Sequence, residues 1–242
     1  MILDIDVGNS RLKWRLSHGD GGIVQRGSCA DESEFGDVDL VGGLQRVRIA
    51  NVRGESVVSM LNDICRKRWH LTPEFAQPVH QCAGVTNAYQ KPETLGVDRW
   101  LAVLAAYNDC RGACCVVDAG SAATFDVMTA NGQHLGGYIV PGLSLQKRSL
   151  LESTGIRMVK QNEWPEMLQP GTDTALAVHG GIVAMMVAWV QYVYRLAAGD
   201  TESILYLTGG DAMLLSIHLD RCGISHRVAP DLVLDGLASA LP

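Results

Sequence analysis

The sequence predicts an α/β fold of two comparable halves, residues 1–107 and 108–242, on three observations. The first is a repeat: Ile2-Leu-Asp-Ile-Asp-Val-Gly-Asn-Ser10 recurs, altered, as Cys115-Val-Val-Asp-Ala-Gly-Ser-Ala-Ala-Thr124. Each copy is an aliphatic strand running into an Asp, a Gly and then hydroxyl or amide side chains, which is the pattern of a buried strand entering a tight turn. The second is that each copy is followed by two more strand patterns and later by alternating strand and helix patterns, so both halves read as mixed sheets flanked by helices. The third is composition: 242 residues, 47% of them hydrophobic, supply an ample core and leave no low-complexity linker.

In the first half, Leu12-Lys-Trp-Arg-Leu16 alternates and reads as the second strand, and the turn Ser17-His-Gly-Asp-Gly-Gly22 returns it to Ile23-Val24. A polar stretch, 31–39, precedes a fourth strand over 46–52. From Glu55 the apolar positions Val57, Val58, Met60, Leu61, Ile64 and Cys65 follow helical spacing. Pro73 and Pro78 bracket a short extended piece. Trp100, Leu101, Val103, Leu104 and Tyr107 mark another helix, ended by Gly112, with Asp98 at or beside its amino terminus. There Asp98 is either an N-cap or a carboxylate aimed into a cleft, kept ionised by the helix dipole. Arg99 is either a surface cation or a bidentate partner for an anionic substrate group.

The second half opens on the repeated strand, continues through Thr124-Phe-Asp-Val-Met128, turns at Asn131-Gly132 and runs on through Gly136-Gly-Tyr-Ile-Val140. Pro141-Gly142 breaks that strand, and 143–151 reads as a helix. Thr172, Asp173 or Thr174 caps a long helix to about Ala198 that contains Gly180-Gly181, so close packing against another backbone is expected there. Its stripe of Ile182, Met185, Met186, Trp189, Val190 and Val193 fits either the core or a dimer interface. Ile204-Leu-Tyr-Leu-Thr-Gly-Gly-Asp211 is a buried strand entering a double-Gly turn, where a base or ribose can approach and Asp211 can accept from a ribose hydroxyl. A short helix over 233–241 ends the chain.

In both repeated turns the Gly is expected to allow positive φ and close approach of a phosphate, the polar residues to donate to it, and the Asp to hold a hydrated cation beside it. Lys13 either reaches that phosphate or faces solvent. The formal charge of −6 and pI near 5.6 argue against a nucleic-acid partner, and Arg66-Lys-Arg68 is a solvated helix face. Seven cysteines without a CxxC pair read as reduced core thiols of a cytoplasmic protein. The amino terminus carries no signal pattern, and the longest apolar run, 182–190, is short of the roughly 20 residues that span a bilayer, so no membrane association is expected.

Strands in the order three, one, helix, one are those of the ribonuclease-H-like half shared by acetate kinases, sugar kinases, actin and the chaperone ATPases. Asp6-x-Gly-Asn-Ser10, Gly96-Val-Asp-Arg99, Asp118-x-Gly-Ser121 with Thr124 and Asp126, Gly136-Gly-Tyr-Ile-Val-Pro-Gly142 and Thr208-Gly-Gly210 occur in this order. Together they resemble the type III pantothenate kinases, a family that includes the Bvg accessory factors, over essentially the whole chain. The resemblance implies an actin-like (ASKHA) dimeric enzyme that phosphorylates pantothenate with ATP, using Mg2+ and a monovalent cation, K+ or NH4+. It further implies that Asp6, Val7, Gly8, Asn9, Ser10, Arg11, Leu12 and Lys13 hold the ATP phosphates with the help of Ser121. Asp98 becomes the catalytic base, and Tyr89, Gly96, Val97, Asp98 and Arg99 line the pantothenate pocket. Asp118 binds the monovalent cation, and Thr174 reaches the pantothenate of the partner subunit. Two departures stand out: the family usually has Thr where this chain has Ser121, and the segment after Leu151 matches the family's Thr-x-x-Leu-Pro poorly.

Other readings of the same residues are a superfamily kinase for another hydroxylated substrate and a nucleotide-binding regulator without turnover. A dinucleotide oxidoreductase is disfavoured because no GxGxxG opens a helix after the first strand.

Overall fold

The computed structural model describes residues 1–36, 38–40, 42–157, 163–199 and 203–242, arranged as two units: Met1–Asn108 with Asp231–Pro242, and Asp109–Pro230. In the first unit, β1 (Ile2–Val7), β2 (Leu12–Ser17) and β3 (Ile23–Cys29) form the expected antiparallel meander. α1 (Glu32–Gly36) follows, then β4 (Arg46–Asn51), α2 (Glu55–Trp69) and β5 (Glu74–Phe75). β4 and β5 add in parallel, giving the sheet order β3-β2-β1-β4-β5. α1 lies in the stretch expected to be merely polar. At five residues it is too short to show a period, and Asp31 starts it by accepting from the amides of Ser33 and Glu34 at 2.9 and 3.0 Å.

Strand alternation splits the sheet into two chemically different faces. Leu3, Ile5, Val7, Leu12, Trp14 and Leu16 pack with Phe35, Val47, Ile49, Leu61 and Cys65. On the other face Asp4, 1% exposed, receives Arg48 bidentately at 2.8 and 3.1 Å and Arg15 at 3.5 Å. A buried carboxylate is tolerated only with such partners.

A small hairpin, β6 (Gln81–Cys82) and β7 (Val85–Thr86), is only half marked in the sequence: its turn has Gly84 at φ 85° but also Ala83 at φ 49°, and Ala is no signal for that conformation. α3 (Val97–Cys110) then buries nearly every residue of its first three turns.

The second unit repeats the plan. β8 (Cys114–Ala119), β9 (Ala122–Met128) and β10 (His134–Pro141) form the meander, followed by α4 (Leu143–Ser153), α5 (Thr174–Ala198), β11 (Ile204–Thr208), α6 (Ala212–Arg221) and β12 (His226–Val228). The order β10-β9-β8-β11-β12, with β11 and β12 parallel to β8, is the order of the first sheet. Of the three candidate caps of α5, Asp173 takes the position, accepting from Leu176 N at 2.8 Å. Met185 leaves the expected stripe: it is 57% exposed, while Ile182, Met186, Val190 and Val193 enter the core. Among the described residues the Gly pair is not pressed against another backbone. A Cβ at Gly180 would meet Gln169 O at 3.7 Å, an ordinary contact, and one at Gly181 would meet nothing. By length and composition α5 could cross a membrane, and 44% of its most apolar window is buried in this unit.

The final helix, α7 (Leu232–Ala240), departs from the expected division at 108–242. It belongs to the first unit, where it packs on β1 and β4 and brings Asp235 to within 2.5 Å of Arg15. Gly236 is required there because a Cβ would strike the backbone of Leu101 in α3. Residues 37 and 158–162, within the two polar stretches, lie outside the described residues.

Candidate active site

The β1–β2 turn is closed by Gly8 N donating to Arg11 O at 3.1 Å, with Asp6 opposite Lys13 in register. Asn9, Ser10 and Arg11 are exposed, whereas Val7 and Leu12 are wholly buried, so these last two can meet a ligand only through their backbone. The expected positive φ is absent at Gly8 and at Gly120. Space is tight at Gly8 and ordinary at Gly120. A Cβ at Gly8 would stand 3.3 Å from Arg11 O, and one at Gly120 would stand 3.4 Å from Ala122 O and 3.5 Å from the Asp118 carboxylate.

One residue of this loop carries no signal in the sequence. Arg53, just past β4, donates from Nε to Gly8 O at 2.7 Å and from Nη2 to Asn9 O at 3.1 Å, while Nη1 meets Glu32 Oε1 at 2.8 Å. An arginine after a strand has no local mark of such a role. The contact joins residues more than forty positions apart.

Asp98 is the second residue of α3 and is half-buried. Its Oδ1 accepts from Arg99 N at 2.8 Å, so the carboxylate sits at the helix amino terminus. Gly96 makes this possible, since a Cβ there would lie 2.6 Å from that same oxygen. Arg99 is 6% exposed, not a surface cation, and its Nη1 donates to the Tyr89 hydroxyl at 3.0 Å with the guanidinium over the Tyr89 ring. Tyr89 is in turn fixed by Asn87, whose Oδ1 accepts from Tyr89 N at 2.9 Å. Thus Tyr89, Gly96, Asp98 and Arg99 meet in one cluster, while Val97 turns into the core.

In the second unit, Asp118 is the penultimate residue of β8 and pairs between Thr124 of β9 and Thr208 of β11. The turn after it is drawn tight by three backbone bonds: Gly120 N to Ala122 O at 3.2 Å, Gly142 N to Ser121 O at 3.0 Å and Asp211 N to Ala119 O at 2.9 Å. Gly209, at φ 90°, closes on Asp118 and Ala119 so tightly that no side chain fits. Ser121 is exposed at the tip. A recess beside it is floored by Ala123, Leu143, Met186 and Leu215 and edged by Asp211, whose carboxyl is pushed above the usual range by burial. Asp126 does not face the turn: it is 1% exposed and held by His134 Nε2 at 2.9 Å, a structural pair. Thr174, exposed, is the first residue of α5.

Among the described residues no group of three or more His, Cys, Asp or Glu side chains clusters as a metal site. Burial raises the Cys65 thiol to about 12 and that of Cys115 to about 11, so both are protonated packing groups.

The profile of the type III pantothenate kinase family matches residues 2–196. Over 255 residues the chain is 39% identical to the type III pantothenate kinase of Pseudomonas paraeruginosa, covering 100% of this chain and 99% of the relative. The chain belongs to the type III pantothenate kinase family. A second member, from Nitrosococcus oceani, is 39% identical over 258 residues and is covered to 92% of its length by 98% of this chain. In fold, the chain is similar to a structure described as a Baf family transcriptional activator from Campylobacter jejuni, with a TM-score of 0.62 at 22% identity over 99% of this chain and 96% of that one. It is also similar to one described as a 2-dehydro-3-deoxygalactonokinase from Sinorhizobium meliloti, at TM-score 0.58 and 11% identity, covering 99% and 98%. These likenesses carry the architecture alone, which for this family member is the actin-like one of two ribonuclease-H-like halves with mixed central sheets.

Proposed function

We propose that the protein transfers the γ-phosphoryl group of ATP to the primary hydroxyl of pantothenate, the first step of coenzyme A synthesis. The observation that carries this reading is the start of α3, where the Asp98 carboxylate accepts from the Arg99 amide and the Arg99 guanidinium is held on the Tyr89 hydroxyl. Phosphoryl transfer needs positioning and charge neutralisation more than covalent chemistry. Asp98, at the helix terminus, orients the hydroxyl and takes its proton late in a loose transition state. Arg99, aimed by Tyr89, pairs with the carboxylate of pantothenate.

The turn over 6–13 binds the ATP phosphates, with Asn9, Ser10 and Arg11 exposed at its tip. Mg2+, a hard cation that keeps much of its water, suits the oxygen donors of Asp6 and the phosphates, and neutralises charge on the nucleotide when bound. Asp118, a half-buried carboxylate flanked by Thr124 and Thr208, offers the oxygen donors that K+ takes, or an acceptor for NH4+. The cytoplasm, which supplies ATP, is the compartment this chemistry requires.

The working enzyme is a homodimer. α5 turns Ala177, Gly181, Ala184, Met185, Ala188, Tyr192 and Leu196 outward on one face, with Met185, Tyr192 and Leu196 57, 69 and 62% exposed. A stripe of small residues flanked by large apolar ones suits a second copy of the same helix, and it would carry Thr174 toward the partner's substrate. Tyr192→Glu is expected to convert a dimer to a monomer in analytical ultracentrifugation and to raise the KM for pantothenate. A wild-type protein that sediments as a monomer at micromolar concentration would remove this part of the reading.

The activity itself is tested by incubation with ATP, Mg2+ and K+ against pantothenate and a panel of sugars and hydroxy acids. ADP release that depends on pantothenate is expected; phosphorylation of a sugar but not of pantothenate would refute the assignment.

A further inference from the structure

We infer that Arg53 is the positioning residue of the first phosphate-binding turn: its guanidinium holds two successive carbonyls so that the amides of the same peptides face the triphosphate. This rests on reading the β1–β2 turn as the site of the ATP phosphates.

In a trans peptide the C=O and the following N–H point in opposite directions. Arg53 takes the Gly8 carbonyl at 2.7 Å and the Asn9 carbonyl at 3.1 Å, so the N–H groups of Asn9 and Ser10 are directed to the side of the turn away from Arg53. Two consecutive amides pointing one way form the kind of concavity that binds anionic oxygen. Turns of this size flip their peptides readily, and a flip of either peptide would put a carbonyl where an amide is needed.

The guanidinium is itself built in. Glu32, 7% exposed at the start of α1, binds Nη1 at 2.8 Å, and Asn51 fixes the backbone by accepting from Arg53 N at 3.0 Å while donating to Gly54 O at 3.0 Å. With its charge paired to Glu32, Arg53 serves as a fork with fixed geometry more than as a countercharge for ATP. The second turn is built differently. There the carbonyls of Ala119 and Ser121 are held by the amides of Asp211 and Gly142, while the Gly120 amide is used within the turn by Ala122 O, so that turn is fixed by backbone bonds where the first is fixed by a side chain.

The test is steady-state kinetics of the full-length protein carrying Arg53→Ala, Arg53→Lys, Glu32→Gln or Lys13→Ala, with folding checked by circular dichroism. Arg53→Ala is expected to raise the KM for ATP roughly 10- to 100-fold, the size of losing charge-assisted hydrogen bonds, with the KM for pantothenate within about threefold of wild type. Arg53→Lys, whose ammonium cannot grip both carbonyls in one plane, is expected to recover part of the loss and decides the matter if the alanine variant does not fold. Glu32→Gln is expected to raise the KM for ATP modestly; a lowered KM would mean that Arg53 acts as a bare cation and would overturn the inference. Equal changes in both KM values, or none, would overturn it too. Lys13→Ala separates the two layers: if it raises the KM for ATP and Arg53→Ala does not, the inference falls alone, and if neither does, the reading of the turn falls with it.

Discussion

Replacing Asp98 by Asn is expected to lower kcat by about 100- to 10,000-fold, the range for removing a general base, while the dissociation constant for ATP changes by less than about threefold. The substitution is nearly isosteric. An amide oxygen can still accept from Arg99 N, and the oxygen that crowds Gly96 keeps its place, so the first turn of α3 is preserved. What is lost is the capacity to take a proton from the substrate hydroxyl. Uniform loss of binding would appear in KM; loss confined to the transition state appears in kcat. Quenched-flow or coupled-assay rates beside equilibrium titration with ATP provide the check. A variant within about tenfold of wild type would show that Asp98 is only a helix-terminal carboxylate and would favour a nucleotide-binding regulator over an enzyme.

The same residue shows how far the sequence could be read. Asp98 and Gly96 are near neighbours in the chain, so a local motif carries their relation, and the two turns are equally local: strand, Asp, Gly, polar tip. Meander and helix periods placed most elements for the same reason. Three features were illegible because they depend on contacts that no short window contains. Arg53 grips a turn more than forty residues away. α7 has the composition of any apolar helix, and only the polar face of β1, with Asp4 paired to Arg48 and Arg15, shows that it closes the first sheet and not the second. Asp126 carries the same residue type as Asp118 and alternates onto a strand nearby, yet its pairing with His134 across the β9–β10 ladder takes it out of the site. The glycines of the two turns teach a related point. Their spacing suggests a backbone conformation that neither Gly8 nor Gly120 adopts; a Cβ would be crowded at Gly8, and positive φ is found at Gly209.

Gly209→Ala is accordingly expected to be among the most damaging single changes in the second unit, and Gly210→Ala its near-silent control. At Gly209 two penalties coincide. The φ of 90° is costly for any residue with a Cβ, by about 1 to 2 kcal/mol. The added methyl would also stand 2.6 Å from both the carbonyl carbon and oxygen of Ala119 and press on the Asp118 carboxylate. Backbone cannot rotate aside as a side chain can, so relief requires parting β11 from β8, and overpacking of this kind costs about 1 to 3 kcal/mol more. The combined destabilisation of about 2 to 5 kcal/mol is expected as a lowered denaturant midpoint. Because Asp118 must move to admit the methyl, a raised K+ requirement for turnover is expected with it. Gly210 has ordinary φ, and a methyl added there would meet nothing within 4 Å, so its Ala variant should stay within about 0.5 kcal/mol of wild type. Equal stability of the two variants would mean that the β11 turn does not hold Asp118 in place, and the cation site would have to be sought among other oxygens.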